Sequence, residues 1–267
     1  MNANAISDSA TMLRRSLRRM RRYPSLTIFI AAIPVVLLLL FVYVFGGTLG
    51  AGLGGPSVAS AGRDAYLGYV VPGILLLTVA GAATGTAISV AMDMTAGIIA
   101  RFRTMAIARG SVLTGHIVGS VIHVFLALAL VLVVAVVIGY RPAGGVAAWA
   151  AAAGLLFLAS VAVCALSVAM GLATDSVETA SNTPMIFTLL LFLSSAFVPT
   201  ASMPDPLRWF AEHQPFTPIV ESVRALLAGT PVGDNGLIAV AWCVVITVAG
   251  YLWARRLYER VPVRVAG

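Results

Sequence analysis

Polar and charged positions in this chain are confined to short breaks between six long apolar stretches, at about residues 25–45, 66–92, 116–138, 146–172, 184–200 and 237–254. Runs of this length exceed what a globular core uses. They match the roughly 20 residues that a helix needs to cross a bilayer. The pattern therefore predicts an all-α membrane protein with six transmembrane helices.

Two regions depart from it. Over residues 8–22, Met12, Leu13, Leu17 and Met20 fall on one helical arc, and Arg14, Arg15, Arg18, Arg19, Arg21 and Arg22 fill the opposite one. Such a helix lies in the membrane interface, apolar face in lipid and arginines toward headgroups. Pro24 then breaks it before the first span.

The second region is 201–236. There Asp205 is placed to cap a helix with Pro206 in its first turn, and Thr217 to cap a second over 219–227 that Gly229 ends. Each piece is too short and polar to span, yet carries apolar faces. A re-entrant helical hairpin over 203–229 follows, holding Pro204, Trp209, Phe210, Pro215, Phe216 and Pro218. The organisation expected is a cytoplasmic amphipathic helix (1–24), a transmembrane domain (25–254) and a cytoplasmic tail (255–267).

Charge then orients the helices. All seventeen basic residues are arginine, and alternating the breaks between two sides puts thirteen on one side and four on the other. The positive-inside rule makes the crowded side cytoplasmic, with both termini there. The break at 173–183 has no arginine, and its Asp175-Ser176-Val177-Glu178 has capping-box spacing.

Composition adds exclusions. The chain is 60% hydrophobic and 10% charged, with mean hydropathy +0.99, so it has too little charge to cover a soluble surface. Its pI near 10.1 is explained by arginines beside the spans, where anionic lipid is the partner, and not by nucleic acid. Cys164 and Cys243 lie within spans as small core residues, neither disulfide nor metal pair. The absence of lysine, with abundant Ala, Val, Gly and Arg, suggests a bacterial, high-GC source, hence the cell (inner) membrane. Arg14–Arg22 and Ala59-Ser60-Ala61 imitate a signal peptide, but the apolar run between them is too long and the small-residue site too distant.

Chemistry-bearing residues are few. A phosphate-binding loop requires lysine in G-x-x-x-x-G-K-[ST], so ATP binding on this chain is excluded. No HExxH, G-x-S-x-G or paired carboxylates mark a catalytic site, and no catalytic, metal or cofactor residues are assigned. His116 and His123 share one face of the third span, and an intramembrane ionisable group is a functional candidate by default. His123, with Thr84 and Ser89, is a candidate for a substrate path, although Thr78, Thr84, Thr86 and Ser89 are also suited to bonding back to their own helix. Gly81-x-x-x-Gly85 and Gly115-x-x-x-Gly119 predict close helix contacts within the chain.

Four stretches together resemble the ABC-2-type permeases, specifically the daunorubicin-resistance class of drug-exporter membrane subunits. They are Pro34 through Phe41-Val42-Tyr43-Val44-Phe45-Gly46-Gly47; Tyr69-Val70-Val71-Pro72-Gly73; Gly97-Ile98-Ile99-Ala100-Arg101-Phe102-Arg103-Thr104-Met105-Ala106-Ile107; and Phe197-Val198-Pro199 with Met203-Pro204 and Pro215-Phe216-Thr217-Pro218. The chain departs from the family pattern at Ala100 and Ala106, where aspartate and proline are usual, which leaves no carboxylate there for a salt bridge.

The resemblance implies a type V exporter-like fold that pairs with a second permease, a copy or a paralogue. It also implies that 93–110 docks in a groove of a separate cytoplasmic ABC ATPase, which carries the ATP and Mg. Arg101, Arg103 and Arg109 would present charge to that groove, and Phe102, Met105 and Ile107 an apolar anchor. The expected function is efflux of a hydrophobic or amphipathic drug, antibiotic or lipid-like small molecule. The alternative is a proton-driven secondary multidrug transporter, which needs ionisable groups at mid-membrane. Against it, every Asp and Glu falls outside or at the rim of a span, Asp93 closest.

Overall fold

A computed structural model describes residues 24–48, 62–96 and 109–260, with side chains over 31–48, 62–96 and 113–259. The amphipathic helix at 8–22, with Arg14, Arg15, Arg18, Arg19, Arg21 and Arg22, lies outside the described residues. So does the docking element Arg101, Phe102, Arg103, Met105 and Ile107, and only the backbone of Arg109 is described.

The described chain is helical. In order it forms α1 (Pro24–Leu40), a π-helical turn (Phe41–Phe45), α2 (Gly62–Thr95), α3 (Arg109–Val137), α4 (Val146–Ala173), α5 (Val177–Asn182), α6 (Met185–Phe192), α7 (Asp205–His213), α8 (Phe216–Ala228) and α9 (Asn235–Arg260). Five helices, α1 with its continuation to Thr48, α2, α3, α4 and α9, are long and apolar enough to cross a membrane. They coincide with five of the six predicted spans. α2 and α4 form the centre, with 72% of their apolar windows buried against 22% for α9.

Close approach at the centre depends on glycine. A Cβ on Gly171 of α4 would sit 2.7 Å from the Ala87 carbonyl of α2, and one on Gly250 of α9 would sit 2.7 Å from the Leu166 nitrogen of α4. Small residues let helix backbones meet where lipid supplies no hydrophobic drive between helices.

The fifth predicted span is different. A continuous helix over 184–200 is not found. Instead α5 and α6 are separated at Pro184, which lacks the N–H to continue the ladder, and irregular turns follow from 193. The broken segment still traverses the bundle. Ala180 of α5 packs against Ala87 and Ala91 of α2, while Phe197 accepts a hydrogen bond from the Tyr66 hydroxyl (3.3 Å). Ala87 and Tyr66 are about 32 Å apart along α2 at 1.5 Å per residue, close to the hydrocarbon thickness of a bilayer.

Several predicted caps are corrected. Ser176, not Asp175, caps α5, its hydroxyl accepting from the Thr179 N–H at 3.1 Å. Asp205 is the first residue of α7 rather than its cap, since Pro204 holds that place. Thr217 lies inside α8, and its hydroxyl donates to the Ala211 carbonyl of α7. Gly229 does end α8, at φ 72°, a left-handed conformation that glycine adopts without a Cβ penalty.

Candidate functional site

Two polar centres lie at opposite ends of α2. At the end leading into 96–108, Asp93 of α2 is only 5% exposed, the one acidic side chain buried among the described residues. Its Oδ2 lies 3.3 Å from His116 Nε2 of α3. Sequence alone places Asp93 at the rim of a span and His116 on one face of the third span with His123, and does not join the two.

At the far end, the Tyr69-to-Gly73 stretch meets the turns after α6. The Tyr69 hydroxyl donates to the Ser195 carbonyl at 2.8 Å. Arg224 of α8 donates to the same carbonyl through Nη2 (2.8 Å) and to the Tyr69 carbonyl through Nε (3.2 Å), with its guanidinium 3.8 Å over the Tyr69 ring. Gly73 allows this contact, because a Cβ there would fall 2.5 Å from the Ala196 carbonyl. Phe197 stacks between Phe41 and Phe192, with centroids at 4.9 and 4.8 Å, tying the π-helical turn after α1 to the same place.

No carboxylate pairs with Arg224 among the described residues. Glu221, one turn before it, instead accepts from Asn235 at the start of α9 (2.8 Å). The turn between α3 and α4 closes over the end of α8, where the Gly144 N–H donates to Leu227 at 3.0 Å. Tyr140 in this turn is buried, and loss of water pushes its hydroxyl up to about 12, with nearby Arg224 pulling the other way.

Between these ends lies an apolar cavity of about 170 Å³. Val163 and Leu166 of α4, Phe187 of α6, Phe216 of α8, and Trp242 and Cys243 of α9 line it. Phe216 meets Phe187 edge-on (6.5 Å), and Pro215 reaches the cavity at the tip of the α7–α8 pair. At that tip buried Gln214 donates to the Leu190 carbonyl at 3.0 Å. Pro218 is also buried, whereas Trp209 and Phe210 of α7 face outward, Trp209 stacked on His213 at 4.7 Å. Pro204 precedes α7 and accepts from the Arg208 N–H.

The path candidates do not meet in one pocket. Thr78 and Thr86 bond back to Ile74 and Ala82, as expected of α2 hydroxyls. Thr84 and Ser89 are partly exposed, on the strip of α2 that also exposes Gly81, Gly85 and Met92. A Cβ on Gly81 would touch nothing, so the expected intrachain contact at Gly81-x-x-x-Gly85 is not made there. Gly115 and Gly119 of α3 are buried as expected, and His123 is partly buried two turns beyond His116.

The comparisons agree with this architecture. The ABC-2 type transporter family matches residues 9–228. Over 259 residues, 96% of this chain and 88% of its relative, the sequence is 28% identical to the daunorubicin resistance ABC transporter permease protein DrrB1 of Streptomyces coeruleorubidus. It is also 24% identical over 198 residues, 73% of this chain and 72% of the relative, to the probable doxorubicin resistance ABC transporter permease protein DrrC of Mycobacterium tuberculosis. The chain belongs to the ABC-2 type transporter family, whose members are multi-pass membrane components and not themselves ATPases.

Proposed function

We propose that this chain is the permease subunit of an ATP-driven exporter of hydrophobic or amphipathic compounds, with ATP hydrolysed on a separate cytoplasmic ABC ATPase. The family match over 9–228, with relatives named as daunorubicin and doxorubicin resistance permeases, carries this reading. The apolar cavity supports it, since its walls suit a hydrocarbon or aromatic portion of a cargo and offer nothing to an ion.

In this reading the chain crosses the membrane six times, the fifth crossing made by the broken α5–α6 segment. Its length along α2 supports that count. α7 and α8 dip into the outer leaflet as a re-entrant pair, with Trp209 and Phe210 at the interface. The arginine bias sets both termini and the 96–108 segment in the cytoplasm, where Arg101, Phe102, Arg103, Met105, Ile107 and Arg109 dock on the ATPase. The strip of Gly81, Thr84, Gly85 and Ser89 suits a second permease or the cargo path better than lipid, being small and partly polar on an otherwise buried helix.

Reconstitution with the ATPase tests this. Candidate drugs stimulate ATP hydrolysis, and Arg101→Glu with Phe102→Ala abolishes that stimulation while membrane insertion persists. Unchanged stimulation in the double variant removes the docking assignment. The Asp93–His116 pair favours a second reading, proton-driven export, because such transporters use ionisable groups at membrane depth. Cargo movement on a proton gradient without ATPase or ATP would select it.

A further inference from the structure

We infer that Asp93 and His116 form a clasp at the base of the 96–108 segment, a positioning pair that makes α2 and α3 respond to that segment together. The two residues stand in the last turn of α2 and the second turn of α3, so the 96–108 segment falls within the chain that separates them. Held at 3.3 Å, they join the last turn of α2 to α3.

Energetics argue that the pair has a role. A carboxylate removed from water is costly unless a polar partner compensates, and apolar side chains at both positions would pack these helices without that cost. Nine other acidic residues occur in the chain, and no other one is buried among the described residues. An ionic or strongly polar contact adds what hydrocarbon packing does not, namely one specific register between the helices.

The position of the clasp gives that register a consequence. About one turn away on α2, Ala87 and Ala91 carry Ala180 of α5, so the joint holds three elements. The α5–α6 segment then runs along α2 to the far end, where Tyr69 and Arg224 grip the Ser195 carbonyl. α2 is thus a strut fastened at both ends. A pull on 96–108 moves α2, α3 and the foot of α5 as one body, and the displacement reaches the Arg224 contact. Without the clasp, α2 and α3 yield separately and the pull is lost at the stem.

The link to ATP hydrolysis rests on the docking reading above, whereas the clasp itself does not. Spin labels at exposed Met92 and Val118, with Cys164 and Cys243 replaced by alanine, report the α2–α3 separation in purified permease. One narrow distance is expected in the parent. Asp93→Ala and His116→Ala broaden it with helix content unchanged, and the exchanged pair Asp93→His with His116→Asp narrows it again. Unchanged widths in both single variants overturn the clasp. If the exchanged pair does not fold, the double alanine decides: it should be no broader than either single variant, and additive broadening overturns the pairing.

With the ATPase present, either single alanine retains ATPase co-purification but lowers cargo moved per ATP by about fivefold. Unchanged stoichiometry overturns the role in coupling. Drug-stimulated ATP hydrolysis unchanged by Arg101→Glu with Phe102→Ala overturns the docking reading instead, and leaves the label distances to judge the clasp.

Discussion

At the end of the bundle where α2 leads toward α3, a buried carboxylate faces an imidazole across two regular helices. At the other end a guanidinium donates to two carbonyls and lies over an aromatic ring. The backbone explains the contrast. α2 and α3 satisfy their own N–H and C=O groups at the Asp93 level, so only side chains remain to join them, and one polar group is set against another. After α6 the helix is broken, and the carbonyls at 195 and 197 have no helical partner. Such groups at membrane depth must be covered by protein. Arg224, Tyr69 and Tyr66 cover them, so the cation there serves the backbone and not a carboxylate. A buried charge in this fold is therefore read from what its neighbours lack.

The largest expected effect is at the far end. Arg224→Ala removes two hydrogen bonds from a charged donor and the cation over the Tyr69 ring, leaving the Ser195 carbonyl held by Tyr69 alone. Hydrogen bonds to charged groups are worth about 1.5–3 kcal/mol each, so thermal unfolding in detergent should register a loss of about 3 kcal/mol. Arg224→Lys restores less than half, because one ammonium cannot span both carbonyls and cover the ring. Full rescue by lysine would mean that charge alone matters there, and the contrast between the ends would disappear. Gly73→Ala comes next. Its Cβ would sit 2.5 Å from a backbone oxygen that cannot swing away, and overpacking of this kind costs about 1–3 kcal/mol. A neutral result by the same unfolding assay would mean that the 193–198 turn is softer than its contacts indicate.

How much of this was legible beforehand follows from what lipid hides. The five long helices stand out because their apolar runs exceed any globular requirement. Their rotations do not, since lipid-facing Val245 and core-facing Val168 are equally apolar and no amphipathic stripe separates them. For that reason the Asp93–His116 pairing was invisible: two polar residues on successive spans carry no record of facing each other. A single helix over 184–200 is expected because that stretch is apolar nearly throughout, and hydropathy gives no sign of the turns that break it from 193. In the sequence Arg224 is one more charge between apolar stretches. The available signal was its place one turn after Glu221 on the apolar face of a half-length helix, where a lone arginine needs acceptors. Local spacing predicts Thr217 as a cap, but its partner Ala211 lies on the preceding helix, which a capping rule does not see.

At the stem end the effects are smaller, as contacts between regular helices predict. Asp93→Ala removes the contact with His116 and relieves the burial of a carboxylate. Hydrogen bonds between membrane helices average about 0.6 kcal/mol and reach about 1.7, so a loss near 1 kcal/mol is expected despite the effect on helix register. A loss as large as that of Arg224→Ala would place the structural anchor of the fold at the stem instead. Ser176→Ala tests the same end from α5. The Ser176 hydroxyl accepts from Thr179 N–H and lies 3.0 Å from the Thr179 hydroxyl, at the start of a helix only six residues long. Loss of an N-cap costs about 0.5–2 kcal/mol, and the exposed position of this cap puts the change at the low end. Hydrogen exchange should then quicken at 177–182 while the α2 amides near Ala87 keep their protection. If the α2 amides lose protection as well, the Ala180 contact stabilises α2 itself, and this end of the bundle depends on α5 as much as on the Asp93–His116 pair.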